Sequence, residues 1–326
     1  MASVNSADPT PPTALANSNP EYEANVADIE DALKNRRLTL VFGTGISINA
    51  IKDSTAGVSD DEKSRKADTL RWNALILSGL QFIENNPDYK ASLTRSEIQE
   101  LDCYKSCLST EGVALGTMLR AAIFLRAKLK ELGRLQAWFK LEFSGLYDKF
   151  IGDNPNPMLE SIKELNRNHA RIMTTNYDDL ISRRCDKHAI IPDEEQKLKD
   201  FFSANSESRR RILHIHGIWN DPKSIVLDGV NYYKITTHPY LQHALQTCMG
   251  GTEVLVFVGT GGGLDDPNFS GLLRWANEVV GEERRPQYIL LPDGQNNKHK
   301  SLHAIHYGDH SRLPEFLKGI VRRVTG

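Results

Sequence analysis

Leu38-Thr39-Leu40-Val41-Phe42-Gly43-Thr44-Gly45-Ile46-Ser47 is the stretch on which the fold turns. Leu38–Phe42 is a compact apolar run closed by glycine, the pattern of a parallel strand buried on both faces. It opens into Gly-x-Gly, and Ser47 stands where a following helix would take its N-cap. Two readings of the turn are open. Glycines let the backbone approach a pyrophosphate closely while helix amides donate to it; they also suit a tight strand-to-helix turn with no ligand. The dehydrogenase fingerprint needs a third glycine where Ile48 stands, which counts against hydride transfer.

A second run of the same kind, Val254–Val258, opens into Gly259-Thr260-Gly261-Gly262-Gly263-Leu264-Asp265-Asp266-Pro267. Backbone amides there could hold a sugar or phosphate and an acid could bind a ribose hydroxyl; the plainer reading is a flexible turn with Asp266 as N-cap and Pro267 in the first helical turn. Outward from these two runs, strands are expected at residues 171–174, 212–215, 224–227, 253–258, 287–291 and 304–307. Helices are expected at 21–35, 157–168, 239–248, 267–280 and 313–321, the first with Val26, Ile29 and Leu33 on one face. Residues 53–68 are polar without core-forming periodicity and read as a loop or mobile lid; 186–210 read as a surface helix with flanking loops. From residue 69 to about 168 the pattern is helical, with helices expected from Trp72 and over 118–132 and 135–150. The whole is an α/β protein: a Rossmann-like parallel sheet with helices on both faces and a helical insertion lobe, its ligands at the carboxyl ends of the strands. Residues 1–20, rich in Ser, Pro and Asn, are expected as a disordered tail, and 21–326 as a single domain.

The 326 residues carry 40 Lys+Arg against 42 Asp+Glu, a net charge of −2, which removes any global electrostatic case for nucleic acid or a membrane surface. The apolar runs fall far short of the ~20 residues that span a bilayer, and the amino terminus lacks a basic region followed by an apolar stretch. Four cysteines (Cys103, Cys107, Cys185 and Cys248) make no disulfide scaffold in a chain this long. A cytoplasmic globular protein is expected.

Two further motifs bear side chains suited to chemistry. Ile172-Met-Thr174-Thr175-Asn176-Tyr177-Asp178 brings polar residues to a strand's carboxyl end. Asn176 offers both donor and acceptor to a ribose hydroxyl or a water; Asn176 or Asp178 could equally cap the next helix. Leu213-His214-Ile215-His216-Gly217 places two histidines on one face of a strand. A neutral imidazole at the strand end can act as a general base; His-x-His could also ligate a metal. His214 is read as structural and His216 as functional.

Taken in order, these motifs resemble the sirtuin-like NAD-dependent superfamily over about residues 38–273. Gly43-Thr44-Gly45-Ile46-Ser47 is similar to its Gly-Ala-Gly-Ile-Ser cofactor loop, Thr174–Asp178 to its Thr-Gln-Asn-Ile-Asp segment, and His216-Gly217 to its His-Gly. The Thr-Thr-Asn-Tyr-Asp form and the late Asp-Pro-Asn resemble the NAD-hydrolysing branch found in Thoeris antiphage effectors, and Leu-His-Ile-His-Gly with Tyr307-Gly308 resembles animal filament-forming sirtuin-like proteins. Sirtuin deacetylases carry a zinc on two Cys-x-x-Cys pairs after His-Gly. This chain has no Cys-x-x-Cys, so no metal is expected. The resemblance implies cleavage of the nicotinamide–ribose bond of NAD+, with NAD+ as substrate and no prosthetic group. It implies Asn176 orienting ribose and water, His216 as base, and Asp178 as an electrostatic stabiliser. Gly43, Thr44, Gly45 and Ser47 would hold the pyrophosphate, with Gly259, Thr260, Asp265 and Tyr307 on the adenosine side. It also implies an immune or stress effector controlled by self-association into an oligomer or filament, or by a separately encoded partner. The alternative is a non-catalytic NAD-binding assembly protein.

Overall fold

The computed structural model describes residues 20–110, 112–203, 211–281 and 285–326. The tail expected at 1–20 lies outside these, apart from Pro20, which begins the helix Pro20–Lys34. Seven strands are present: β1 Leu38–Phe42, β2 Arg171–Thr174, β3 His188–Ile190, β4 Arg211–His214, β5 Val254–Val258, β6 Tyr288–Leu291 and β7 His303–His306. They form one sheet in the order β3-β4-β2-β1-β5-β6-β7, and every pairing is parallel. This is a Rossmann-like α/β fold. β1 sits at the centre, with β2 on one side and β5 on the other. The chain reverses its direction of winding between β1 and β5, the switch point where such sheets leave a crevice.

Both faces of β1 are buried, in keeping with its largely apolar run. Leu38, Leu40 and Phe42 enter a cluster on one face, with Ile172, Ile212, Val254, Val256 and Val258. Val41 enters the other, with Met173, Leu213, Leu255 and Phe257. That division is the two-residue alternation of a strand. The first cluster is covered by Pro20–Lys34, Thr44–Lys52, Pro157–Arg167 and Leu313–Thr325, the second by Glu195–Phe202, Gly229–Thr236, Pro239–Gly250 and Pro267–Trp275.

Every described element between β1 and β2 is helical. Leu75, Ile76, Leu80, Leu125 and Trp138 of that segment belong to the first cluster, so the insertion shares a core with the sheet instead of enclosing one of its own. Several expectations need correction. Residues 53–68 are not a loop throughout: Asp60–Thr69 is a helix, capped by the Ser59 side chain accepting from the Glu62 amide, with three acids in its first turn. The helix expected at 135–150 is two, Leu135–Phe143 and Leu146–Phe150, divided where Gly145 takes φ 74°. Residues 186–210 contain the edge strand β3 before the helix Glu195–Phe202, and 204–210 lie outside the described residues. Residues 224–227 form no strand. Ile225, Val226 and Leu227 are buried, but of them the Val226 amide donates to the His216 carbonyl in a single turn contact at 2.9 Å. The helix from Pro267 ends at Trp275 and passes into a wider turn at Ala276–Val280.

Candidate functional site

The carboxyl ends of β1 and β5 are pressed together. The Gly43 amide donates to Val258 O at 3.0 Å, and the Gly45 amide to Gly259 O at 2.9 Å. A Cβ on Gly43 would lie 2.4 Å from Thr260 Cα, and one on Gly45 2.8 Å from Gly259 O. These glycines thus serve the contact between two strand-end turns. The helix begins at Thr44 with Gly43 as its N-cap, so Ser47 lies inside the first turns and is not the cap.

Ser47, fully buried, organises the end of β2 instead. Its Oγ donates to Asp178 Oδ2 at 2.7 Å and accepts from Asn176 Nδ2 at 2.9 Å. Asn176 Nδ2 also donates to Gly43 O at 3.2 Å. A carbonyl oxygen can only accept, so the amide nitrogen must face it and the orientation of Asn176 is fixed. Asn176 Oδ1 is left buried with no partner. The turn is held below by Thr174, whose Oγ1 donates to Phe42 O at 3.0 Å and accepts from the Asn176 amide at 3.1 Å. Asp178 gives its other oxygen to the Leu180 amide at 3.2 Å. Burial pushes its carboxyl up to about 6, against the Ser47 hydrogen bond.

The two histidines differ in their surroundings. His214 is enclosed, with Nε2 2.8 Å from Ser182 Oγ and Nδ1 3.2 Å from Asn176 O. Both ring nitrogens are engaged by the fold, which takes His214 out of any metal-ligating pair with His216. His216 follows β4 at the turn where Gly217 adopts φ 82°; a Cβ there would meet Ser224 O at 2.3 Å. His216 Nε2 is buried and makes no hydrogen bond. It faces Asp266 Oδ2 at 3.5 Å, and the ring meets the Tyr232 ring edge-on, with centroids 5.4 Å apart. Burial lowers the imidazole to about 3 and raises the Asp266 carboxyl to about 7. At the end of β5, Thr260 Oγ1 is a third buried polar atom with no hydrogen-bond partner.

Asn176, His216 and Thr260 line one cavity of about 1060 Å³. That is the upper end of small-molecule sites and room for a ligand of dinucleotide size. Two buried oxygens lacking partners, Asn176 Oδ1 and Thr260 Oγ1, at two strand ends around one cavity, mark where a ligand's hydrogen bonds would go. Thr44, Gly45, Asp178, Gly259, Asp265 and Tyr307 line it too, whereas Gly43 and Ser47 stand behind its wall. The Asp265 side chain is more than half exposed and lies 3.9 Å from His299 Nε2; the Tyr307 hydroxyl is 3.2 Å from His310 Nδ1. The helical segment closes the far side with Trp72, Leu75, Met118 and Phe143. Trp72 and Tyr232, which no site motif contained, and Asp266, read from the sequence as an N-cap, also line the cavity. Asp266 had a signal, the Asp-Pro at a helix start, but that signal speaks of capping and not of a histidine fifty residues away.

Residues 170–308 match the SIR2-like domain family. That stretch of the chain is similar to a SIR2-like domain. It runs from just before β2 to just past β7 and contains Asn176, His216, Thr260 and Asp266. The chain is also 30% identical over 166 residues to Defense-associated sirtuin 2 of Bacillus subtilis, a match that covers 47% of this chain and 15% of that protein. Among the described residues no group of three or more His, Cys, Asp and Glu could hold a metal ion, and no helix is long and apolar enough to cross a membrane.

Proposed function

We propose that the protein is an NAD+ glycohydrolase that transfers the ADP-ribosyl group to water, acting as a defence effector. The observation that carries this is the convergence of the unpaired Asn176 Oδ1 and His216 on one cavity, at the ends of neighbouring strands of a SIR2-like domain. Asn176 Oδ1 would accept from a ribose hydroxyl or the attacking water, held in place by the Ser47 and Gly43 contacts. His216, neutral at physiological pH because burial opposes its charge, would take the water proton. As the C1′–O bond forms, the C1′–N bond breaks and its electron pair neutralises the nicotinamide ring. Asp178, mostly ionised at neutral pH, would stabilise positive charge developing on the ribose. The Thr44–Gly45 and Gly259–Thr260 turns would carry the pyrophosphate and adenosine portions.

The defence role draws on the printed name of the Bacillus relative. Control by self-association or by a separate partner belongs to the same reading. It is supported by the exposed apolar side chains of Val230 and Tyr233, on the helix that also carries Tyr232 against His216. The test is to incubate the purified protein with NAD+ over a concentration series and quantify nicotinamide and ADP-ribose. Release that is lost in His216→Ala and Asn176→Ala is expected. Release that persists in both variants, or none from the parent protein at any concentration, overturns the reading.

A further inference from the structure

Asp266 does more than cap. Its Oδ1 alone accepts from the amides of Asn268 and Phe269, both at 2.8 Å, which satisfies the start of the helix Pro267–Trp275. A residue that only caps can leave its second oxygen in water. Here the residue is 5% exposed and Oδ2 is turned inward to His216. A buried carboxylate is costly without a partner, and the helix N-terminus on which it sits favours its negative charge. Across the gap, His216 Nε2 is equally buried and has no other partner. The two amides that donate to Oδ1 anchor the carboxylate, so Oδ2 is held where it is.

The proposed reaction gives that pairing a purpose. An isolated imidazole buried as deeply as His216 is a poor proton acceptor. A base in that position needs a group that holds one nitrogen's hydrogen and stabilises the cation it becomes. We infer that Asp266 is the positioning residue for His216: its Oδ2 accepts from Nε2–H, fixes the tautomer that leaves Nδ1 free to take the water proton, and holds the imidazolium until that proton passes to solvent. The 3.5 Å separation is longer than a formed hydrogen bond and would shorten as the ring gains charge, as catalytic hydrogen bonds do on substrate binding. The other titratable groups around the pair are the Tyr177 and Tyr232 phenols and the adjacent Asp265 carboxylate. The inference rests on His216 being the base of the proposed hydrolysis.

Asp266→Asn separates the two duties. Asparagine is as good an N-cap as aspartate, but its amide would present a donor to Nε2 and favour the opposite tautomer. Asp266→Ser keeps the cap and withdraws the carboxylate altogether. With 15N-labelled histidine, and His216→Gln to assign the resonance, the parent protein should show Nε2–H at about pH 8.5, where the Asp266 carboxyl is ionised, and Asp266→Asn should show Nδ1–H. Nicotinamide release should fall roughly 10³–10⁴-fold in kcat, with KM for NAD+ within about threefold and Tm unchanged. An unchanged His216 tautomer in Asp266→Asn, or kcat within about threefold of the parent in both variants, overturns the assignment. If the parent releases no nicotinamide the hydrolase reading fails by itself, and the 15N spectra still decide whether Asp266 holds His216.

Discussion

Gly43→Ala separates two meanings that Gly-x-Gly can have. At φ −109° the Gly43 backbone suits any residue, so nothing but space forbids a side chain. The added methyl would stand 2.4 Å from Thr260 Cα and 2.7 Å from Gly259 O, both main-chain atoms that cannot swing away. Carbon atoms pack at about 3.5–4 Å, so relief requires the β1 and β5 turns to part by about 1 Å. Overpacking of this kind costs about 1–3 kcal/mol. The Gly43–Val258 and Gly45–Gly259 hydrogen bonds, worth about 1 kcal/mol each, would weaken with it. Against this, alanine restricts the unfolded chain and returns about 0.4–1 kcal/mol. The net expectation is a loss of about 2–4 kcal/mol, read in urea as a midpoint lower by roughly 1 M. Gly262→Ala is the control: no atom lies within 4 Å of its Cβ, and its midpoint should stay within about 0.3 M. A Gly43→Ala protein that unfolds at the parent midpoint yet no longer binds NAD+ would refute the packing argument and return the glycine to the ligand.

Ser47→Ala removes the hydroxyl that joins Asn176 to Asp178. Two buried groups lose a partner, so a destabilisation of about 2–4 kcal/mol is expected with loss of nicotinamide release, and a variant with parental midpoint and turnover contradicts it. His214, pushed down to about 4 by burial, stays neutral in the fold while the unfolded chain protonates near 6.5, so stability falls as pH drops through that window. The loss is about 2 kcal/mol by pH 5; His214→Gln should lose that much less than the parent between pH 7 and 5 in urea titrations, and equal losses argue against a neutral buried imidazole. Burial pushes the Cys185 and Cys248 thiols up to about 12, whereas Cys103 is exposed. Native iodoacetamide labelling should therefore modify Cys103 and spare Cys185 and Cys248, and mass spectrometry finding either buried cysteine alkylated would count against it.

The strands that could be read from sequence are those buried on both faces. β1 and β5 are five-residue apolar runs that match their expected limits to within a residue. β3 gave no such signal because it is a sheet edge: His188 is exposed, Ala189 half-buried, and only Ile190 is enclosed. The converse error, at residues 224–227, came from three buried β-branched or aliphatic residues that fill a turn beneath His216. Asp60–Thr69 was hidden by its polarity, since Lys63 and Ala67 are its only buried residues, yet Ser59 with Glu62 three positions on is a capping pattern that could have been read. Of the residues that line the cavity, Asn176, His216 and Thr260 were legible because each follows a recognisable strand. What the sequence could not show was proximity: that Ser47 faces inward to Asn176 and Asp178, and that Asp266 lies beside His216.

The order of the strands also sets a timetable. β1 is the centre of the sheet, but its neighbours are distant in the chain: Thr39 pairs with Arg171, and Leu38 with Val254. On the ribosome, at ~5–20 residues per second, Leu38 waits roughly 10–40 s for Val254 to be made. Throughout that interval an apolar strand has at least one edge unpaired, and both until Arg171–Thr174 is made, while the helices of residues 72–143 can already form from local contacts. Closing so long a loop between parallel strands is slow in any case. A strand buried on both faces in the folded protein is thus exposed for a long part of its synthesis, and it is there that a chaperone holding the nascent chain would have much to cover.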